Sequence, residues 1–179
     1  MYFKIQISNP SIRRRPNEER ESLSSAMVAV FPEATEDAIM IWNWVPIRIN
    51  YNCDLSVIIE DLLLMLDVLL RSGHGSNTTF FGANTFRAEW TLDWANGALR
   101  IDARWESVAG SYENLLNSRH TLEVRKDQFL SEWKSLLQKV MEAIDTSGIR
   151  VAEQEQVVLL RRVEAAIPEY GRIYRSQEE

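Results

Sequence analysis

Few side chains in this sequence could carry nucleophilic, acid–base or metal chemistry. There is one cysteine, Cys53, and there are two histidines, His74 and His120. Nucleophile and base meet only in space, so the sequence leaves a Cys53–His pair open. Cys53 falls between an extended segment and an apolar run, where free cysteine is usually a small packing group. His74 lies between two glycines and has no partner at zinc-ligand spacing. His120 sits on the apolar side of an alternating segment and reads as a hydrogen-bonded core residue. Glu89 and Asp93 resemble paired carboxylates on one strand face, but each has an arginine predicted opposite, which argues against acid–base work. Arg13–Arg15 could grip an anion, and the simpler reading is a solvated basic run. The chain contains no G-x-x-x-x-G-K-[ST], G-x-S-x-G, H-E-x-x-H or C-x-x-C. The expectation is a protein that is not an enzyme and needs neither cofactor nor metal.

Any function must then rest on a surface, and the elements that would build it follow from periodicity. Residues 54–71 (DLSVIIEDLLLMLDVLLR) are the most apolar stretch. At helical spacing Ser56, Glu60, Asp67 and Arg71 fall in a stripe about 80° wide, with Asp61 at its flank, so most of the circumference is apolar. Spanning a bilayer takes about 20 residues with few charges. This run is shorter and holds Glu60, Asp61 and Asp67 within it, which predicts a central buried helix. Asp54 is its expected N-cap and Ser72-Gly73 its end.

Around it, residues 1–8 alternate as a strand, and 17–31 read as a helix capped by Asn17. Residues 38–52 (AIMIWNWVPIRINYN) read as one bent strand or as two strands joined at Pro46. Trp42 and Trp44 are expected mainly in the core, with an interface role as the alternative. Residues 72–85, rich in glycine and small polar side chains, read as a loop that tucks Phe80-Phe81 onto the core. Asn96-Gly97 supplies the positive-φ pair of a type I′ hairpin over 86–105. A two-residue turn pairs Trp94 with Leu99, Leu92 with Ile101, Trp90 with Ala103 and Ala88 with Trp105, all apolar. The other face pairs Asp93 with Arg100, Thr91 with Asp102, Glu89 with Arg104 and Arg87 with Glu106. The apolar face is expected on the central helix and the charged face toward water or a partner. A strand over 119–125, with His120, Leu122 and Val124 inward, and helices over 127–144 and 151–167 complete an α+β fold. Its expected architecture is a single domain, 1–179, with a largely antiparallel sheet packed by the central helix and two C-terminal helices. Residues 171–179 are expected to fray.

Charge narrows the partners. The net charge of −6 argues against non-specific nucleic-acid binding. Residues 31–70 hold seven acids against Arg48 alone, whereas residues 1–20 hold five bases against two acids. The N-terminus alternates and lacks the apolar core of a secretory signal, and no disulfide framework is possible with one cysteine. A cytoplasmic protein without membrane contact is expected. Acidic side chains Glu33, Glu36, Asp37, Glu89, Asp93 and Asp102 are the expected contacts for a basic partner.

The order of elements is an extended PIRINYNCDLS, the apolar helix VIIEDLLLMLDVLL, the hairpin FRAEWTLDWANGALRIDARW, a strand, and the helix DQFLSEWKSLLQKVMEAI. Over residues 45–145 this resembles small bacterial proteins encoded beside polymorphic toxins, including immunity proteins of contact-dependent growth inhibition systems. That resemblance implies a non-enzymatic binder that holds a cognate toxin domain inactive in the cytoplasm. The local acidity suits a basic nuclease toxin. Two other expectations stand beside it. One is a small-molecule-binding domain or enzyme using a groove between the hairpin and the 72–85 loop. The other is a homodimer formed through Trp42, Trp44 and the hairpin face.

Overall fold

Phe3 and Ile5 point into the core while Lys4 and Gln6 face water, so the first alternating segment forms strand β1 (Phe3–Gln6). The computed structural model describes residues 2–169, and the C-terminal segment expected to fray lies outside them. The architecture is α+β, with two antiparallel sheets and five helices among the described residues packed around one continuous core.

The 17–31 segment is less helical than its pattern suggests. Asn17 adopts a positive φ, and β2 (Glu19–Arg20) pairs in parallel with β9 (Arg150–Val151). Helix α1 (Leu23–Val30) starts only at Ser22, whose hydroxyl accepts from Ser25 N while the Ser25 hydroxyl accepts from Ser22 N. This reciprocal cap and the long-range pairing displace Asn17 as the start signal.

Residues 38–52 form two strands, β3 (Ala38–Trp42) and β4 (Val45–Ile49). They meet at a tight turn, Asn43-Trp44, and not at Pro46, which lies inside β4 opposite Ile41. Sheet order β1-β3-β4 makes β4 an edge strand, which tolerates a residue without an N–H.

The central helix exists, and its run starts earlier than Asp54. A single π-helical turn (Tyr51–Leu55) leads directly into α2 (Ser56–Arg71). Asn50 caps it, its Oδ1 accepting from Asn52 N and Cys53 N. Asp54 instead accepts from Asn50 N and from the Thr85 hydroxyl, which ties the helix to the turn at residues 84–85. The C-terminus ends at an extended Ser72 without a left-handed glycine. The Lys126 ammonium donates to Leu69 O and Ser72 O in its place. Ser56 and Asp67 are buried, so the water-facing stripe is Val57, Glu60, Asp61, Leu64, Val68 and Arg71.

The predicted 72–85 loop is a strand, β5 (Gly75–Ala83), paired along its length with β6 (Phe86–Ala95). Thr79, Phe81 and Ala83 alternate inward, and Phe80 is exposed. One of the glycines that suggested a loop, Gly75, serves packing. A Cβ on Gly75 would sit 2.7 Å from Trp94 Cζ2. β5 is hydrogen-bonded to the hairpin along its length, and an open hollow of about 490 Å³ lined by Gly75, Trp94 and Leu99 lies where the two meet.

The hairpin register is as expected from Trp94↔Leu99 to Ala88↔Trp105, with Asn96 and Gly97 both at positive φ. A bulge at Arg87/Ala88 then shifts pairing, so that Arg87 faces Ser107 and not Glu106, and β7 runs Ala98–Val108. The sheet β5-β6-β7-β8 is completed by β8 (Thr121–Arg125), after the short helix α3 (Glu113–Asn117). Sheet β1-β3-β4 reaches the hairpin's inner face through Trp42. Trp42 packs against Trp90 at 5.1 Å and Trp105 at 5.4 Å between ring centroids. Helix α2 lies along β5 instead. Helices α4 (Lys126–Ser147) and α5 (Gln154–Ala166) close the core, α4 ending at a left-handed Gly148.

Candidate partner-binding surface

Cys53 is exposed beside acids. Burial and the nearby Glu33, Asp54 and Asp37 push its thiol up, which opposes thiolate formation. Its sulfur approaches Asn52 Oδ1 at 3.5 Å. His74 is exposed in the turn before β5, its N–H donating to the Ser72 hydroxyl. His120, expected inward, is exposed with Nδ1 3.0 Å from Asn117 O, because β8 starts at Thr121, two residues later than expected, and only Leu122 is fully buried on that side. Among the described residues, no three His, Cys, Asp or Glu side chains converge as a metal-holding group.

The six expected acidic contacts fall into two separate groups. Glu33, Glu36 and Asp37 occupy the loop between α1 and β3. There Asp37 is tied to Arg48 and to Asn50 Nδ2, and Glu36 accepts from Asn9 N at 3.1 Å. Glu89, Asp93 and Asp102 stand on the outer face of the four-stranded sheet. No hydrogen bond or ion pair links the two groups among the described residues.

The sheet face is a charge lattice more than an acidic patch. Arg100 lies opposite Asp93, yet its guanidinium bonds Asp102 at 2.9 Å and Glu123 at 2.7 Å. Arg104 reaches Glu89 at 3.6 Å and Glu106 at 3.0 Å. Asp93 therefore has no ion-pair partner among the described residues, despite the arginine predicted for it. The Arg100 and Thr121 hydrogen bonds hold the Asp102 carboxyl below the usual carboxylate range.

At the β8 edge of this face stands a residue that periodicity placed in the core. Trp44 is 70% exposed and Trp42 is fully buried. Asn43 has φ 47° and Trp44 φ 71°, the two left-handed positions of a tight hairpin turn. Asn tolerates that conformation; a bulky aromatic seldom occupies it. The turn is clamped on both sides. Asn43 Nδ2 donates to Arg119 O and Thr121 O at 3.0 and 2.6 Å, Arg119 Nη1 donates back to Asn43 O, and Asn43 N donates to Tyr2 O. The indole stacks on Tyr2 at 4.2 Å and 7° between planes. Trp44, Arg119, His120 and Thr121 line an open hollow, and the Thr121 hydroxyl continues to Asp102.

Comparison with protein-family models, with curated proteins and with solved structures finds no match to the chain. The site must therefore be read from its own geometry. The one sequence signal for it was Asn43 between two alternating runs, a turn-former that the apolar residues around it outweighed.

Proposed function

We propose that this chain is a non-enzymatic binder of the immunity or antitoxin kind, which docks a cognate toxin domain in the cytoplasm and holds it inactive. The single observation that supports it is Trp44. Its backbone conformation costs about 1–2 kcal/mol for a non-glycine residue, and its ring, largely in water, gives little burial in return. A rigid, clamped, exposed tryptophan is a poor contribution to folding and a good interface anchor. Farther along the sheet Asp93, which has no ion-pair partner among the described residues, offers a carboxylate to a basic partner, such as a nuclease domain. The resemblance of residues 45–145 to immunity proteins supplies the kind of partner.

Co-expression with the product of the adjacent reading frame tests the reading. The expected result is a tight 1:1 complex and rescue of growth by the wild-type chain. Absence of both complex and rescue sinks the proposal.

A further inference from the structure

Four strands edge the two antiparallel sheets, and three of those edges are blocked. On β1 the outward Ile5 N–H donates to Glu132 at 2.9 Å. On β4 Pro46 has no N–H, and its carbonyl accepts the Tyr112 hydroxyl at 2.6 Å. On β8 the Asn43 side-chain amide donates to Thr121 O, and Glu123 and Arg125 place charge along the rest of the edge. Such devices keep a sheet from adding further strands. Strand β5 has none of them. It is the longest of the four, and from Ser72 to Phe86 the sequence holds no Asp, Glu, Lys or Arg.

The free groups on β5 follow from the hairpin. In a two-residue turn the flanking residues, Ala95 and Ala98, exchange both hydrogen bonds. Odd-numbered residues of β6 therefore bond β7, and even-numbered ones bond β5. The same alternation turns Ala103 N toward β8, where it donates to His120 O at 3.1 Å. On β5, Asn77, Thr79 and Phe81 thus bond Leu92, Trp90 and Ala88. Ser76, Thr78, Phe80 and Gly82 point their N–H and C=O groups away from the sheet, where none finds a partner among the described residues. Helix α2 lies along β5 on the face where Thr79, Phe81 and Ala83 are buried. Buried unpaired amides are rare, so the edge beside that face meets water, and Phe80 on the outer face is 45% exposed.

We infer that β5 is the contact strand of a homodimer, in which two copies pair their β5 edges antiparallel about a two-fold axis and their four-stranded sheets join into one. One register pairs every free group. It sets Ser76 opposite Gly82 of the second copy and Thr78 opposite Phe80 of the second copy, each pair exchanging two hydrogen bonds. Any shift leaves some of these amides unpaired. The two Phe80 rings become diagonal neighbours on the outer face, within reach of each other. A second copy suits this edge because the strand offers no charge for a basic or acidic segment to match. Identical neutral strands meet without repulsion, the net charge of −6 being carried elsewhere on the chain. β5 and β8 are opposite edges of their sheet, so the dimer leaves Trp44, beside β8, open. The inference requires nothing of the toxin reading.

The test uses the full chain alone. Sedimentation equilibrium should show a concentration-dependent dimer, and amide hydrogen exchange should show its signature. Asn77, Thr79 and Phe81 should be protected at every concentration, and Ser76, Thr78, Phe80 and Gly82 only where the dimer is populated. Thr78→Pro removes an outward N–H that no bond within the chain uses, so it should fold as the wild type does. It should weaken the dimer by roughly 30-fold, one hydrogen bond being lost from each copy. Phe80→Lys keeps the backbone but brings two cations together near the axis and should weaken the dimer similarly, whereas Thr78→Val should not. A wild-type chain that stays monomeric at the highest concentration used for exchange overturns the inference. So does a dimer indifferent to Thr78→Pro and Phe80→Lys, or a Thr78→Pro chain that no longer folds. Protection of the same four amides by the product of the adjacent reading frame, in place of a second copy, assigns the edge to that partner and overturns it too. Failure of toxin rescue by a wild-type chain that dimerises as expected counts against the toxin reading alone.

Discussion

Replacing Trp44 by glycine should separate folding from binding. In favour of the variant, glycine occupies φ 71° freely and relieves about 1–2 kcal/mol of left-handed strain. Against it, the stack on Tyr2 is lost, worth about 0.5–1.5 kcal/mol, and the unfolded chain gains freedom worth about 0.5–1 kcal/mol. The ring is 70% exposed, so little further burial is forfeited. The terms nearly cancel, and stability should change by no more than about 1 kcal/mol, a melting shift within roughly 2–4 °C for a chain of this size. Trp42→Gly is the control. That ring is fully buried, packs on two tryptophans and donates to Arg119 O at 2.9 Å, so its loss should cost at least about 3–5 kcal/mol. Urea denaturation followed by circular dichroism reads both. Binding should behave oppositely. An anchoring tryptophan is worth about 2 kcal/mol or more, so Trp44→Gly should weaken the partner complex by about 30-fold. If Trp44→Gly unfolds like Trp42→Gly, Trp44 is a structural residue and the reasoning fails.

Three further perturbations probe the scaffold. Trp42→Phe should cost about 1 kcal/mol more than Trp90→Phe in urea melts, because Trp90 Nε1 has no acceptor among the described residues and loses no hydrogen bond; equal costs would contradict the assignment. Leu63→Asp or Leu66→Asp should abolish folding by burying an unpaired charge in α2, and a soluble, cooperative variant would show that this face is not core. Glu132 accepts the Ile5 amide at 2.9 Å, but burial outweighs that bond and pushes its carboxyl up. Its contribution to stability is therefore full below the unfolded Glu value and is lost as pH rises through the raised folded value. Glu132→Gln should keep the Ile5 hydrogen bond, flatten that pH dependence and raise the denaturation midpoint at neutral pH; a lower midpoint at pH 7 would reverse the assignment.

Local chemistry was legible where it was strong. Asn96-Gly97 set the hairpin register correctly for seven of the eight expected pairs, all but Arg87–Glu106, because a type I′ turn admits little choice and both faces agreed. The apolar run at 54–71 similarly announced α2. Misreadings arose where distant residues decided. Gly75 and its small neighbours resemble a loop, and they form β5 because β6 offers an edge and Trp94 needs the space of a missing side chain. Residues 19–20 leave the helix to pair with 150–151. The expected ion pair Asp93–Arg100 is replaced by Arg100 reaching along its own strand and across to β8, which the hairpin sequence alone could not reveal. Alternation carried Trp44 onto the same face as Trp42. Only the turn at Asn43, held by Arg119 and Thr121 from far along the chain, reverses it.

The most direct test of the partner-binding account is the dissociation constant of this chain with the product of the adjacent reading frame, measured for the wild type and for folded Trp44→Gly. A tight wild-type complex that weakens by about 30-fold in the variant, with a parallel loss of growth rescue, is the predicted result. Equal affinity in the two would remove Trp44 from the interface, and no complex at all would contradict the account.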